Sequence, residues 1–176
     1  PNGSYLLMND LDFTDKTWPA LFSSETFAGR IEGNGHTISN VTVLQDQPGY
    51  PNRGLFGTLD SGAALIDVTF ENVTYRIEKG TRVANTSFGL LAGELAEGAT
   101  LQGVVIKDGK LQIDSASKDT LELTEGYVIR LLCGKGEPAA DTVTYEITWE
   151  ATGEEADTVV ITEDDEVLTV TFKAAE

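Results

Sequence analysis

The chain of 176 residues predicts an all-β solenoid, on three observations. Four segments carry one apolar spacing in the same order: Met8, Leu11, Phe13; Ile38, Val41, Val43; Leu65, Val68, Phe70; and Leu101, Val104, Ile106. Their starts lie 30, 27 and 36 residues apart, a period at which stacked coils share one core. The last two copies align without a gap at an offset of 36, from Gly57 on Gly93 through Leu65 on Leu101 to Ile77 on Ile113. Composition agrees: 18 glycines, one methionine and short runs of Val, Ile and Thr suit strands joined by tight turns, and no segment shows sustained helical spacing.

Taken in chain order, the first coil begins at Tyr5 and ends at Phe13, and the second runs from Phe27 to Val43. In the third and fourth, Gly, Leu, Gly-Ala and Leu recur as Gly57, Leu59, Gly62-Ala63, Leu65 and Gly93, Leu95, Gly98-Ala99, Leu101. That order reads as a strand, a tight corner and a second strand with alternate residues turned inward. One coil buries too little apolar surface to stand alone, so about four coils must stack.

Composition changes near Asp114 to Asp119. Residues 1–114 carry 8 basic and 14 acidic side chains, whereas residues 115–176 carry 4 and 15; glycines fall from 14 to 4 across the same point. Asp114-Ser115-Ala116-Ser117-Lys118-Asp119 therefore reads as a linker between a unit at 1–114 and one at 119–176. The second unit shows five short strand-like runs: Thr120 to Leu123, Tyr127 to Leu132, Thr142 to Trp149, Thr158 to Thr162 and Val167 to Phe172. Such spacing fits a small β-sandwich, and a cap that continues the solenoid is the rival reading.

Charge and size exclude several partners. A net charge of −17 and a pI near 4.2 set the chain against nucleic-acid phosphates and anionic membrane surfaces. No run approaches the 18 or so apolar residues of a bilayer span, and no signal peptide is seen. Membrane insertion is not expected. The start at Pro1, with a coil beginning almost at once, suggests a piece of a larger chain. Cys133 is the sole cysteine, which leaves no internal disulfide, and it reads as a buried small hydrophobe.

Candidate chemistry is sparse. An enzyme on this architecture needs acids converging on one outer face. The residue before the central apolar position is Asp10, Asn40, Asp67 and Gly103 in successive coils; Asn and Asp at such corners bond their own backbone and tolerate unusual φ. Asp10 and Asp67, two coils apart, would lie about 9–10 Å apart at strand spacing, the edge of the range for an inverting pair. No recurring Arg or Lys column stands beside them to meet a substrate carboxylate, so no catalytic residue is assigned. His36 is the only histidine, a turn or surface residue. Gly33-Asn34-Gly35 is a turn without the Lys-Ser or Lys-Thr of a phosphate loop. Glu154-Glu155-Ala156-Asp157 and Glu163-Asp164-Asp165-Glu166 lack the spacing of a dedicated calcium loop and read as solvated turns. No metal or cofactor is assigned. Among aromatics, Trp18 and Trp149 read as core, and Tyr50, in Gln47-Pro48-Gly49-Tyr50-Pro51-Asn52, is the candidate glycan contact.

The segments Gly54-Leu55-Phe56-Gly57 and Gly89-Leu90-Leu91-Ala92-Gly93 resemble the glycine-leucine-hydrophobic-glycine repeat of the GLUG-motif proteins, and Gly33-Asn34-Gly35-His36-Thr37-Ile38 resembles a coil common in that family. Tyr5 to Phe13 with Trp18-Pro19 resembles its opening coil. The resemblance covers about residues 4–113. It implies a right-handed parallel β-helix in extracellular or cell-surface proteins of bacteria, often beside immunoglobulin-like modules. Leu121-Glu122-Leu123-Thr124-Glu125-Gly126, Ile147-Thr148-Trp149 and Leu168-Thr169-Val170-Thr171 resemble the bacterial immunoglobulin-like family, a shorter match. The expected function is a non-catalytic structural or adhesive module of a larger secreted or surface protein, with a host or cell-wall glycan or a surface protein as partner. The alternative is a carbohydrate-binding or polysaccharide-degrading β-helix unit; support of a protease elsewhere in the parent chain is a third possibility.

Overall fold

Every strand from Ser4 to Thr152 pairs parallel with strands of the coils next to it, so the chain winds instead of doubling back. The computed structural model describes residues 2–19, 22, 25–45, 50–78 and 83–174. Four sheets form the walls. Sheet I stacks Ser4–Leu6, Arg30–Glu32, Ala64–Ile66 and Thr100–Gln102; sheet II stacks Leu11–Asp12, Thr37–Gln45, Thr69–Ile77, Val104–Asp114 and Val143–Thr152. Sheet III stacks Thr26–Phe27, Phe56–Leu59, Ala92–Leu95 and Cys133–Lys135. Sheet IV stacks Asn52–Arg53, Ser87–Phe88 and Val128–Arg130, then takes Val167–Phe172 and Val159–Asp164 as an antiparallel hairpin. The result is a parallel β-solenoid of about three turns, slightly fewer than the four coils expected.

The gapless offset of 36 holds in the structure: Leu65 pairs with Leu101, Phe70 with Ile106 and Ile77 with Ile113. The second coil differs from its expected register. Ile38 stacks on Phe70 and Val41 on Val73, so Val41 does not lie over Val68 and Val104 although all three are buried. The cause is the corner between sheets I and II. Ile31 pairs with Leu65 and Ile38 with Phe70, so the corner spans seven positions in the second coil and five in the third. Gly33-Asn34-Gly35 carries the surplus, with the Gly33 and Gly35 amides donating to Ile66 O and Asp67 O. In the first coil Leu11 stacks on Ile38, and Met8, expected in the core, is 74% exposed.

A second irregularity repeats in sheet II. Asn40, Asn72 and Asp108 stand in successive strands with φ of 58°, 50° and 51°, a left-handed conformation that Asn and Asp accept at least cost among residues with a Cβ. The Asn72 amide donates to Asn40 Oδ1 at 2.7 Å and the Asn40 amide to Asp12 Oδ1 at 2.9 Å. The bulge is thus tied coil to coil. Columns Leu11/Ile38/Phe70/Ile106/Tyr145 and Val43/Tyr75/Leu111/Trp149 flank it.

The immunoglobulin-like sandwich expected over 119–176 is not shown. After a short helix at Lys118–Glu122, Val128–Arg130, Cys133–Lys135 and Val143–Thr152 add parallel strands to sheets IV, III and II, and Val167–Phe172 with Val159–Asp164 folds over the end. The alternation read as sandwich strands is equally the pattern of strands with one face on a shared core. Leu168, Val170 and Val159 are buried, closing one end. At the other end Trp18 packs edge-on to Phe13, Phe56 and Phe70 and donates its indole N–H to Leu55 O at 2.7 Å.

Candidate functional site

Sheets III and IV meet at a close backbone junction, and the glycine repeat explains why. A Cβ on Gly93 would stand 1.9 Å from Arg53 N, and one on Gly134 would stand 2.7 Å from Gly93 O and 2.8 Å from Phe88 N. Backbone lies against backbone there, and only hydrogen fits between. The junction is polar. Asn52 donates to Thr58 Oγ1 at 2.8 Å and to Glu94 Oε2 at 2.6 Å, and accepts from Ser87 Oγ at 2.8 Å. Ser87 and Arg53 are buried, and the Arg53 guanidinium carbon lies 6.0 Å from the centre of the Phe88 ring. Burial lowers the Arg53 pKa.

Tyr50 lies two residues before Asn52 of the junction. It is 37% exposed, and its carbonyl accepts from Arg53 Nε at 2.6 Å. Its neighbours Gln47 to Gly49 lie outside the described residues.

The remaining sequence candidates are drawn into structure. Asp10 Oδ1 accepts from the Thr37 amide at 2.9 Å and stands 3.1 Å from His36 Nδ1. The Thr37 bond first, then His36, holds the Asp10 carboxyl below its usual range. Asp12 is lowered to about 2, chiefly by Asn40 and then by Thr14. Asp10 lies beside the strand start at Thr37, whereas the Asp67 carbonyl accepts from Gly35, one turn further along the same corner between sheets I and II, with φ 47°; the register sets Asp10 level with Thr37 and Thr69. They do not form the expected column pair. Asp67 and Gly103 both have left-handed φ, as their corner reading requires, whereas Asn40 sits in mid-strand.

Cys133 is 4% exposed, and burial pushes its thiol up to about 12 despite a bond from the Ala92 backbone. Trp18 is buried. Trp149 is half-buried and donates to Glu163 Oε2 at 2.8 Å, while Tyr145 OH donates to Glu166 Oε1. The acidic run Glu163 to Glu166 thus forms a hairpin turn whose two ends latch onto sheet II, with φ of 47° and 64° at Asp165 and Glu166. Among the described residues no three His, Cys, Asp or Glu side chains cluster as a metal site, and no helix is long and apolar enough to cross a membrane.

Sequence reasoning missed one ionic junction. Arg76 of the third coil binds Asp114 Oδ2, which also accepts from Thr152 Oγ1 at 3.3 Å, and Asp114 Oδ1 caps the Ala116 amide at 2.9 Å. Burial tends to raise Asp114, but the Arg76 hydrogen bond and charge, the amide and Thr152 together keep it lowered. An Arg and an Asp 38 residues apart signal nothing until the offset of 36 places Arg76 beside Gln112.

No family model matches the chain, and no solved structure matches it. Among curated proteins it is similar to Halomucin of Haloquadratum walsbyi, with 37% identity over 105 residues, covering 51% of this chain and 1% of that protein. The chain therefore spans about 1% of the length of this relative.

Proposed function

We propose that the chain is a non-catalytic structural and adhesive module of a larger cell-surface or secreted protein. The observation that carries this is the parallel ladder of sheet II from Leu11 to Thr152, five strands tied by backbone bonds, the first three also by the Asp12–Asn40–Asn72 side-chain chain. Such a ladder makes a stiff spacer, because bending it strains many bonds at once. The similarity to Halomucin over about half the chain supports a surface location. The net charge of −17 keeps such a surface hydrated and apart from its own copies. The bacterial origin and the GLUG-type assignment rest on the glycine-rich resemblance. Antibodies raised against the folded chain test the reading. They should label intact cells of the encoding organism; labelling only after lysis contradicts it.

A second reading, glycan binding, is favoured by Tyr50, an exposed aromatic residue two positions before Asn52. Retention on a polysaccharide affinity gel that disappears in Tyr50→Ala supports it, and equal migration on every polysaccharide overturns it.

A further inference from the structure

In the last coil three of the four walls gain a strand and one does not. Val128–Arg130, Cys133–Lys135 and Val143–Thr152 extend sheets IV, III and II, while sheet I ends at Thr100–Gln102. The chain crosses that wall as Gly136 to Thr142, with φ of 75° at Gly136, 62° at Asp141 and a proline at 138, none of which suits a strand. A hollow of about 530 Å³ opens between this crossing and the edge of Thr100–Gln102.

The free edge has a defined hydrogen-bonding face. Thr100 N donates to Ala63 O, and Gln102 O accepts from Asp67 N, so these two residues are turned toward the third coil. In a parallel ladder the residue between them, Leu101, turns its amide and carbonyl the other way, toward the hollow. Its side chain ends the inward column Ile31, Leu65, Leu101. A strand entering here would add one more apolar side chain to that column, between Leu95 and Pro138. The lining also sets the charge of the guest. Glu97 and Glu137 line the hollow and no Lys or Arg does; Glu137 is paired with Arg130 Nη2 at 3.2 Å, so Glu97 carries the charge offered to a guest, on a chain of net charge −17.

We propose that this slot receives an extended peptide segment of another protein, basic and alternating with apolar residues, which completes sheet I by strand addition. A second copy of this chain is disfavoured as guest by like charge. The inference stands apart from the surface-module reading, since strand addition needs only the slot.

The test uses the full chain and a synthetic acetylated heptapeptide alternating lysine with valine and isoleucine. Isothermal titration and amide shifts should show binding centred on Leu95 to Gln102 and Gly136 to Ala139. Methylating the peptide amides on one edge should weaken binding roughly tenfold or more, and methylating those on the other edge should leave it unchanged. Glu97→Lys should weaken it about two- to fivefold. Circular dichroism of that variant checks that it folds. No binding, binding equally tolerant of methylation on both edges, or shifts centred elsewhere overturns the proposal. So does light scattering that finds dimers in which these same residues are covered by a second copy.

Discussion

Arg76 and Asp114 form an ion pair across two coils, at the point where the chain leaves sheet II for the short helix at Lys118–Glu122. Arg76 also lies 3.1 Å from Glu78, so one guanidinium joins the ends of two neighbouring strands. The Asp114 side chain is 7% exposed and the Arg76 side chain 32%, which keeps solvent from replacing the bond at the carboxylate.

Asp114→Asn should therefore destabilise the chain by about 1–3 kcal/mol at neutral pH, measured by urea denaturation. The folded carboxyl is held below its ordinary value, so its contribution is present above the unfolded pKa of about 3.9 and is lost as pH falls through the folded value. The gap between wild type and variant should close below about pH 4. A gap that is constant from pH 7 to pH 3 contradicts the assignment.

The close junction of sheets III and IV makes an ordered prediction about glycines. Gly93→Ala drives a methyl into Arg53 and Asn52 backbone and should cost about 3 kcal/mol or more. Gly35→Ala meets nothing within 4 Å and pays only for its φ of 77°, about 1–2 kcal/mol. Thermal or urea midpoints that reverse this order count against the close backbone contact.

Core and edge separate in the same way. Leu65→Ala empties a fully buried position and should cost about 2–5 kcal/mol. Met8→Ala, at a residue 74% exposed, should stay within about 0.5 kcal/mol. Equal losses would return Met8 to the core.

How legible this fold was depended on where coils differ in length. Leu59, Leu65 and Ile77 matched their partners because the third and fourth coils are equal from Gly57 onward. The second coil misled, since the two extra corner residues around Asn34 moved Ile38 into another column while leaving the same apolar spacing in place. The better frame was in the sequence throughout: Ile38-x-Asn40-Val41, Phe70-x-Asn72-Val73 and Ile106-x-Asp108-Gly109 share an Asn or Asp at the bulge. Val143 to Trp149 alternates as any half-buried strand does, so its pattern could not distinguish a fifth rung from a sandwich strand. The empty slot in sheet I shows locally only as Gly136, Pro138 and Asp141, which read as any turn does, because the slot itself is defined by strands on three other walls.

Cys133 offers a kinetic check. With its thiol buried and pushed up to about 12, it should not react with a thiol reagent at pH 8 in the native state, and its labelling rate should follow unfolding in urea. Prompt native labelling contradicts the burial.

Salt should stabilise the chain. Raising sodium chloride from ~0.1 M to ~1 M shortens the Debye length from about 10 Å to about 3 Å, which weakens repulsion among charges summing to −17. The thermal midpoint should rise across that range; a fall would show that favourable ion pairs outweigh the repulsion.

The most direct test is a set of long-range methyl and amide nuclear Overhauser effects in the isotopically labelled chain. The solenoid predicts contacts from Tyr145 to Ile106 and from Trp149 to Leu111, with residues 128–152 lying rung by rung on residues 87–114. Contacts confined within 119–176, with none reaching back to Val104–Asp114, would contradict the continuous stack.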